Sequence, residues 1–67
     1  MKKLSVNISG HQTSISIEPE FMATLQILAR RRGESVAKII HDIDMVRAPN
    51  TNLSSAVRIW VLQQMKL

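Results

Sequence analysis

From Gln12 to Ile17 polar and apolar residues alternate, with Thr13, Ile15 and Ile17 on one face and Gln12, Ser14 and Ser16 on the other. A period of two marks a strand buried on one side, here predicted over 12–18. The period changes at Glu18-Pro19-Glu20. Pro19 brings a φ suited to a first helical turn and lacks an N–H that the turn would leave unpaired. Glu18 and Glu20 place negative charge at the positive end of the helix dipole. Phe21, Leu25 and Leu28, with Ala29 alongside, then follow helical spacing, and Arg30-Arg31-Arg32 crowd the last turn before Gly33. Cations suit a helix C-terminus and glycine takes the left-handed cap, so the first helix is predicted over 19–32. Ser35 reads as the N-cap of a second helix over 35–46, although Lys38 stands where a capping box has Glu or Gln. Val36, Ile39, Ile40 and Ile43 form its apolar stripe.

The flanks add two elements. Leu4, Val6 and Ile8 alternate with Lys3, Ser5, Asn7 and Ser9, which predicts an additional strand over 3–9. Ser9 to Gln12 would turn the chain, Gly10 taking whichever position needs positive φ. The two strands either form a hairpin, or the first runs onto a partner subunit. A lone hairpin is marginal in water, so the apolar face rests on helices in both cases. Pro49 disfavours helix at Ala48, and Asn50 or Asn52 can cap a helix beyond it. Leu53, Ala56, Val57, Trp60 and Val61 then give a third helix over 52–66, and Ile59, Leu62 and Met65 add a second stripe on another side. Such a helix is central to a core or shared with a partner. Trp60 is expected to anchor it against the dimer core, the competing reading being a docking surface for another protein.

The strand-to-helix junction I-x-I-E-x-E-F and the turn R-x-G-x-S resemble the ribbon-helix-helix superfamily, to which the Arc and MetJ repressors belong. The segments SVNISGHQTSISIEPEF and NLSSAVRIWVL carry the resemblance further, to a bacterial branch of short ribbon-helix-helix domain proteins. It covers almost the whole chain and implies an α+β fold in an intertwined homodimer. The 12–18 strand would pair with its mate into a ribbon that enters the major groove. Gln12, Ser14 and Ser16 fall at the positions that read base edges in the family. The second-helix N-terminus at Ser35, Val36 and Lys38 would hold a backbone phosphate, flanked by Arg31 and Arg32. The dimer core would comprise Ile15, Ile17, Phe21, Leu25, Leu28, Val36, Ile39, Ile40, Ile43 and Trp60.

Composition supports the dimer independently. Sixty-seven residues make a single domain, and a chain of that size hides only about 60% of its unfolded surface when it folds alone. No Cys is present to form a disulfide, yet 45% of the residues are hydrophobic. Sharing apolar surface with a second copy resolves the mismatch. The formal net charge of +4 favours polyanions at long range. No apolar run approaches the roughly 18 residues of a membrane span, and Leu4-Ser5-Val6-Asn7 after Met1-Lys2-Lys3 is not a signal-peptide core. A cytoplasmic protein is expected.

Two features complicate groove reading. Were the first strand to flank the ribbon on both edges, the sheet would be four strands across at about 4.8 Å spacing, too broad for a groove about 12 Å wide. Either that strand is displaced on DNA, or it lies beyond the ribbon, or the protein does not read DNA in the family's usual way. The ribbon face is also uncharged. Gln pairs with adenine and Ser with several bases, but a solvated strand face explains the same residues. For Ser35 and the arginines, the plainer reading is capping and a solvated charged end.

No enzyme is expected, and no metal or cofactor. His41 and Asp44 are spaced to share an ion but lack a third ligand, and His11 reads as a turn residue. Ser54-Ser55 has no glycine elbow and no paired base. The expected function is sequence-specific binding of double-stranded DNA by a dimeric transcriptional regulator, most simply a repressor. The rival is a dimeric protein-interaction module that keeps the fold without groove reading. An antitoxin-like role, which requires a toxin-binding tail, is not expected of these residues.

Overall fold

A computed structural model describes residues 1–8 and 10–65, Lys2 by its backbone alone. The order of elements is β1 (Lys2–Ile8), β2 (His11–Ile17), α1 (Pro19–Arg32), α2 (Val36–Val46) and α3 (Leu53–Gln64). β1 and β2 form a two-stranded antiparallel sheet. The register runs from Lys2 opposite Ile17 to Ile8 opposite His11, so the first strand pairs within its own chain. Gly10, at φ 83°, supplies the turn's left-handed residue. The turn is tighter than the sequence predicts, because His11 and Gln12 are already paired with Ile8 and Asn7 as strand.

Element boundaries follow their caps. Glu18 has extended backbone angles and precedes α1 rather than closing β2, and its carbonyl accepts from the Met22 amide at 3.0 Å. Gly33, at φ 67°, ends α1, and the Gly33 and Glu34 amides donate to the carbonyls of Arg30 and Ala29. Ser35 stands outside α2 as its N-cap, its Oγ accepting from the Lys38 amide at 3.0 Å. Asn52 does the same for α3, accepting from the Ser55 amide at 2.8 Å. Ser9 and Lys66, at the ends of the predicted first strand and third helix, lie outside the described residues.

One core joins all five elements. The pleat turns Val6, Ile8, Ile15 and Ile17 onto the helices, which contribute Met22, Leu25, Leu28 and Ala29, then Ile39, Ile40 and Ile43, then Ala56, Val57 and Val61. α2 packs on β1 and α3 on β2. Ile15, Ile17, Leu25, Leu28, Ile39, Ile40 and Ile43, expected in a dimer core, are buried in the core of the chain itself. Phe21, Val36 and Trp60 sit half-buried at the rim of this core. On α1 the buried leading residue is Met22 rather than Phe21, because Met22, Leu25 and Ala29 lie at i, i+3 and i+7. The second stripe of α3, Ile59, Leu62 and Met65, faces outward, as do Ile27, Met45 and Val46. No helix is long and apolar enough to cross a membrane among the described residues.

Candidate nucleic-acid interface

The same pleat that buries Ile15 and Ile17 exposes Gln12, Ser14 and Ser16. Opposite them on β1 stand Asn7, Ser5 and Lys3, also exposed. The hairpin's outer face is therefore a double row of polar side chains, of which the family resemblance implicates only the β2 row in DNA contact. The alternation of Lys3, Ser5 and Asn7 with apolar neighbours was a signal for the second row. What the sequence left open was which strand β1 pairs with. The edge of β2 away from β1 carries no other strand among the described residues. At its end, Arg58 of α3 donates from Nη2 to the Ser16 carbonyl at 3.3 Å and from Nε to Glu18 Oε1 at 2.8 Å. The hydrogen bond from Arg58, aided by its charge, holds the Glu18 carboxyl below the usual carboxylate range. Farther along this edge, Thr13, Ser14 and Ile15 border an open depression of about 500 Å³ walled by the loop between α2 and α3.

At the other candidate element, the Ser35 cap satisfies the Lys38 amide, leaving the Val36 and Ala37 amides as donors at the start of α2. The first turn of α2 carries no acid, so the positive end of its dipole is not neutralised from within the helix. Lys38 is engaged elsewhere: its Nζ donates to Asp42 Oδ2 at 2.7 Å, one turn along. That bond raises the Lys38 pKa and lowers that of Asp42. Arg32 is likewise held, its Nε 2.8 Å from Glu34 Oε2 and its guanidinium 5.7 Å from the centre of the Trp60 ring. Arg30 and Arg31 are exposed and form no ion pair among the described residues. Of the cations expected near a phosphate, Arg31 alone is unengaged there. Lys38 and Arg32 would have to exchange partners.

The family model described as "Ribbon-helix-helix domain" matches residues 1–65. The chain belongs to the ribbon-helix-helix family. Comparison with curated proteins and with solved structures finds no match. Ribbon-helix-helix domains are generally DNA-binding transcription regulators, and theirs is a non-enzymatic fold. In this member β2, α1 and α2 form the strand-helix-helix unit, while β1 and α3 close its core from two sides.

The groups that suggested other chemistry have ordinary partners. His41 Nδ1 lies 3.5 Å from Asp42 Oδ1. Asp44 accepts from Arg47 Nε at 2.7 Å, and Arg47 also donates to the Thr51 carbonyl, tying the end of α2 to the following loop. Among the described residues no three metal-capable side chains converge, and no polar or charged residue is buried. His11, expected in the turn, is the exposed first residue of β2.

Proposed function

We propose that this protein is a sequence-specific, DNA-binding transcriptional regulator of the cytoplasm, most simply a repressor, which acts as a homodimer and has no enzymatic activity. The observation that carries this reading is the exposed polar row Gln12, Ser14 and Ser16, on a strand whose opposite face is locked into the core of a ribbon-helix-helix fold. Gln12 contacts adenine and the serines accept or donate at base edges. The Val36 and Ala37 amides, with Ser35, hold a backbone phosphate, and Arg31, Arg32 and Lys38 add charge around it. Such contacts set register without reading sequence. Dimerisation is supported by the outward apolar residues of α2 and α3, which one chain leaves in water.

The test is retention of genomic DNA fragments by the purified protein across a salt series, with the bound fragments sequenced. Binding that weakens with salt, with a slope near −0.9 per phosphate contact, and that enriches one two-fold-symmetric sequence is the expected result. Absence of retention at low salt would overturn it.

One observation favours a protein-interaction module instead. Ile43, Val46, Ala48, Ile59 and Trp60 line a groove of about 250 Å³ between α2 and α3. Under that reading no DNA is retained and the groove takes a protein.

A further inference from the structure

Four charged side chains surround the start of α2, and their signs alternate along the chain. Arg32 and Glu34 stand before the helix, Lys38 on its first turn and Asp42 on the next. Arg32 Nε lies 2.8 Å from Glu34 Oε2, and Lys38 Nζ lies 2.7 Å from Asp42 Oδ2. Both contacts have the length of charge-assisted hydrogen bonds, the kind that lysine and arginine also make to phosphate. The two pairs share one field. The Lys38 pKa is raised first by the hydrogen bond to Asp42, and the Glu34 charge adds to the rise while Arg32 opposes it. His41 Nδ1 also lies 3.5 Å from Asp42 Oδ1. Two cations and two carboxylates cancel at this helix end, although the chain as a whole carries +4.

We infer that Glu34 and Asp42 are built-in competitors of DNA phosphate. They occupy Arg32 and Lys38 in the free protein, give them up when DNA binds, and so weaken that binding and flatten its dependence on salt. The inference rests on the phosphate contact proposed above at the start of α2 and adds the groups that oppose it. Exposure allows the exchange. The Arg32 and Lys38 side chains are 49% and 55% exposed, and ion pairs in water add little to stability, so the carboxylates hold these cations without locking them. The cost of exchange falls on the freed acids. Each is left near a phosphate of its own sign and draws a cation from solution. A lysine or arginine that neutralises a phosphate releases counterions, which gives a salt slope of about −0.9 per contact. Cation uptake by the freed carboxylate cancels much of that release. Arg31, which forms no ion pair among the described residues, has no such exchange to make. Phosphate contacts carry no base information, so the two acids lower affinity for every sequence alike.

The experiment measures duplex binding across a salt series for Asp42→Asn and Glu34→Gln. Each is made alone and in the background that lacks its cation, Lys38→Gln for the first and Arg32→Gln for the second. Circular dichroism checks the fold. Each neutral variant alone is expected to bind about threefold tighter or more at low salt, with a slope steeper by roughly 0.9. The preferred sequence should stay the same. In the background without the cation the gain should vanish, because the carboxylate then has nothing to withhold, and the difference between backgrounds measures the coupling directly. An equal gain in both backgrounds would reflect lost negative charge alone and overturns the inference. Unchanged affinity and slope in Asp42→Asn and Glu34→Gln, with the unaltered protein binding DNA, overturn it too and leave the DNA-binding function standing. If neither the unaltered protein nor any variant retains DNA at low salt, both fail.

Discussion

At the scale of single residues, the two serine- and asparagine-capped helices provide an internal control. Ser35 and Asn52 each accept one amide hydrogen bond at the N-terminus of a helix, at 3.0 and 2.8 Å. Replacing either by Ala removes that acceptor and should lower stability by about 1 kcal/mol, within the usual range for caps. Urea denaturation of Ser35→Ala and Asn52→Ala is therefore expected to give similar shifts in midpoint. Their effects on DNA should differ. Ser35 belongs to the helix end assigned to phosphate, so Ser35→Ala weakens binding, whereas Asn52→Ala leaves it unchanged. Equal DNA affinities in the two variants would remove the α2 terminus from the interface. Lys38 illustrates why neighbours matter more than identity at this scale. The sequence places a cation one turn inside the helix, but Asp42 at i+4 takes its ammonium, and a phosphate must compete with that carboxylate.

At the scale of elements, α3 is tied to the strand-helix junction through Arg58, and the bond has a pH signature. Glu18 titrates below its ordinary value because Arg58 donates to its carboxylate. A depressed folded pKa contributes stability that is present above the unfolded pKa and lost as pH falls through the folded one. Arg58→Gln should therefore be less stable than the unaltered chain at pH 7, and the gap should close as pH falls through the Glu18 titration. Denaturation midpoints measured for both proteins from pH 7 downward check this. A gap that stayed constant with pH would assign the effect to packing of the arginine stem. Elements were also where the sequence was most legible. Period-two alternation, Pro19, Gly33 and Ser35 marked strands and helix ends by local chemistry, which sequence carries directly, while of the two caps it offered for α3, Asn50 and Asn52, the structure uses Asn52. Two things were not legible. Phe21 and Met22 are adjacent and both apolar, and only the way α1 packs against α2 and α3 decides that Met22 goes in. Nor did alternation say whether β1 pairs with its own β2, since a strand's pattern fixes its faces and not its partner. The polar row on β1 was visible as a pattern, and its place beside the β2 row became visible only with the register.

At the scale of the whole molecule, the apolar residues left outside the core give the proposed dimer a surface that can be tested. β1 and α3 close the core within one chain, so the burial argument for a second copy now rests on what remains outside. Val46 is 83% exposed, Met45 67% and Ile59 51%. Val46 and Ile59 border the same groove, with Trp60 in its wall, which is where a second copy has apolar area to gain. Because neither Val46 nor Ile59 holds up its own chain, charge can be placed there with little effect on the fold. The double variant Val46→Glu, Ile59→Glu is expected to keep its far-UV circular dichroism and to sediment near the single-chain mass of 7.6 kDa, with the unaltered protein near twice that. Two linked binding units gain about 10²–10⁴ in affinity over one. Dissociation should therefore weaken operator binding by a factor in that range and reduce the salt slope in proportion to the phosphates no longer neutralised. A variant that still sediments as a dimer would move the interface elsewhere, with the free edge of β2 the next surface to test. An unaltered protein that sediments as a single chain at micromolar concentration would instead make the chain a one-site reader, and its operator would lose the two-fold symmetry expected of a dimer.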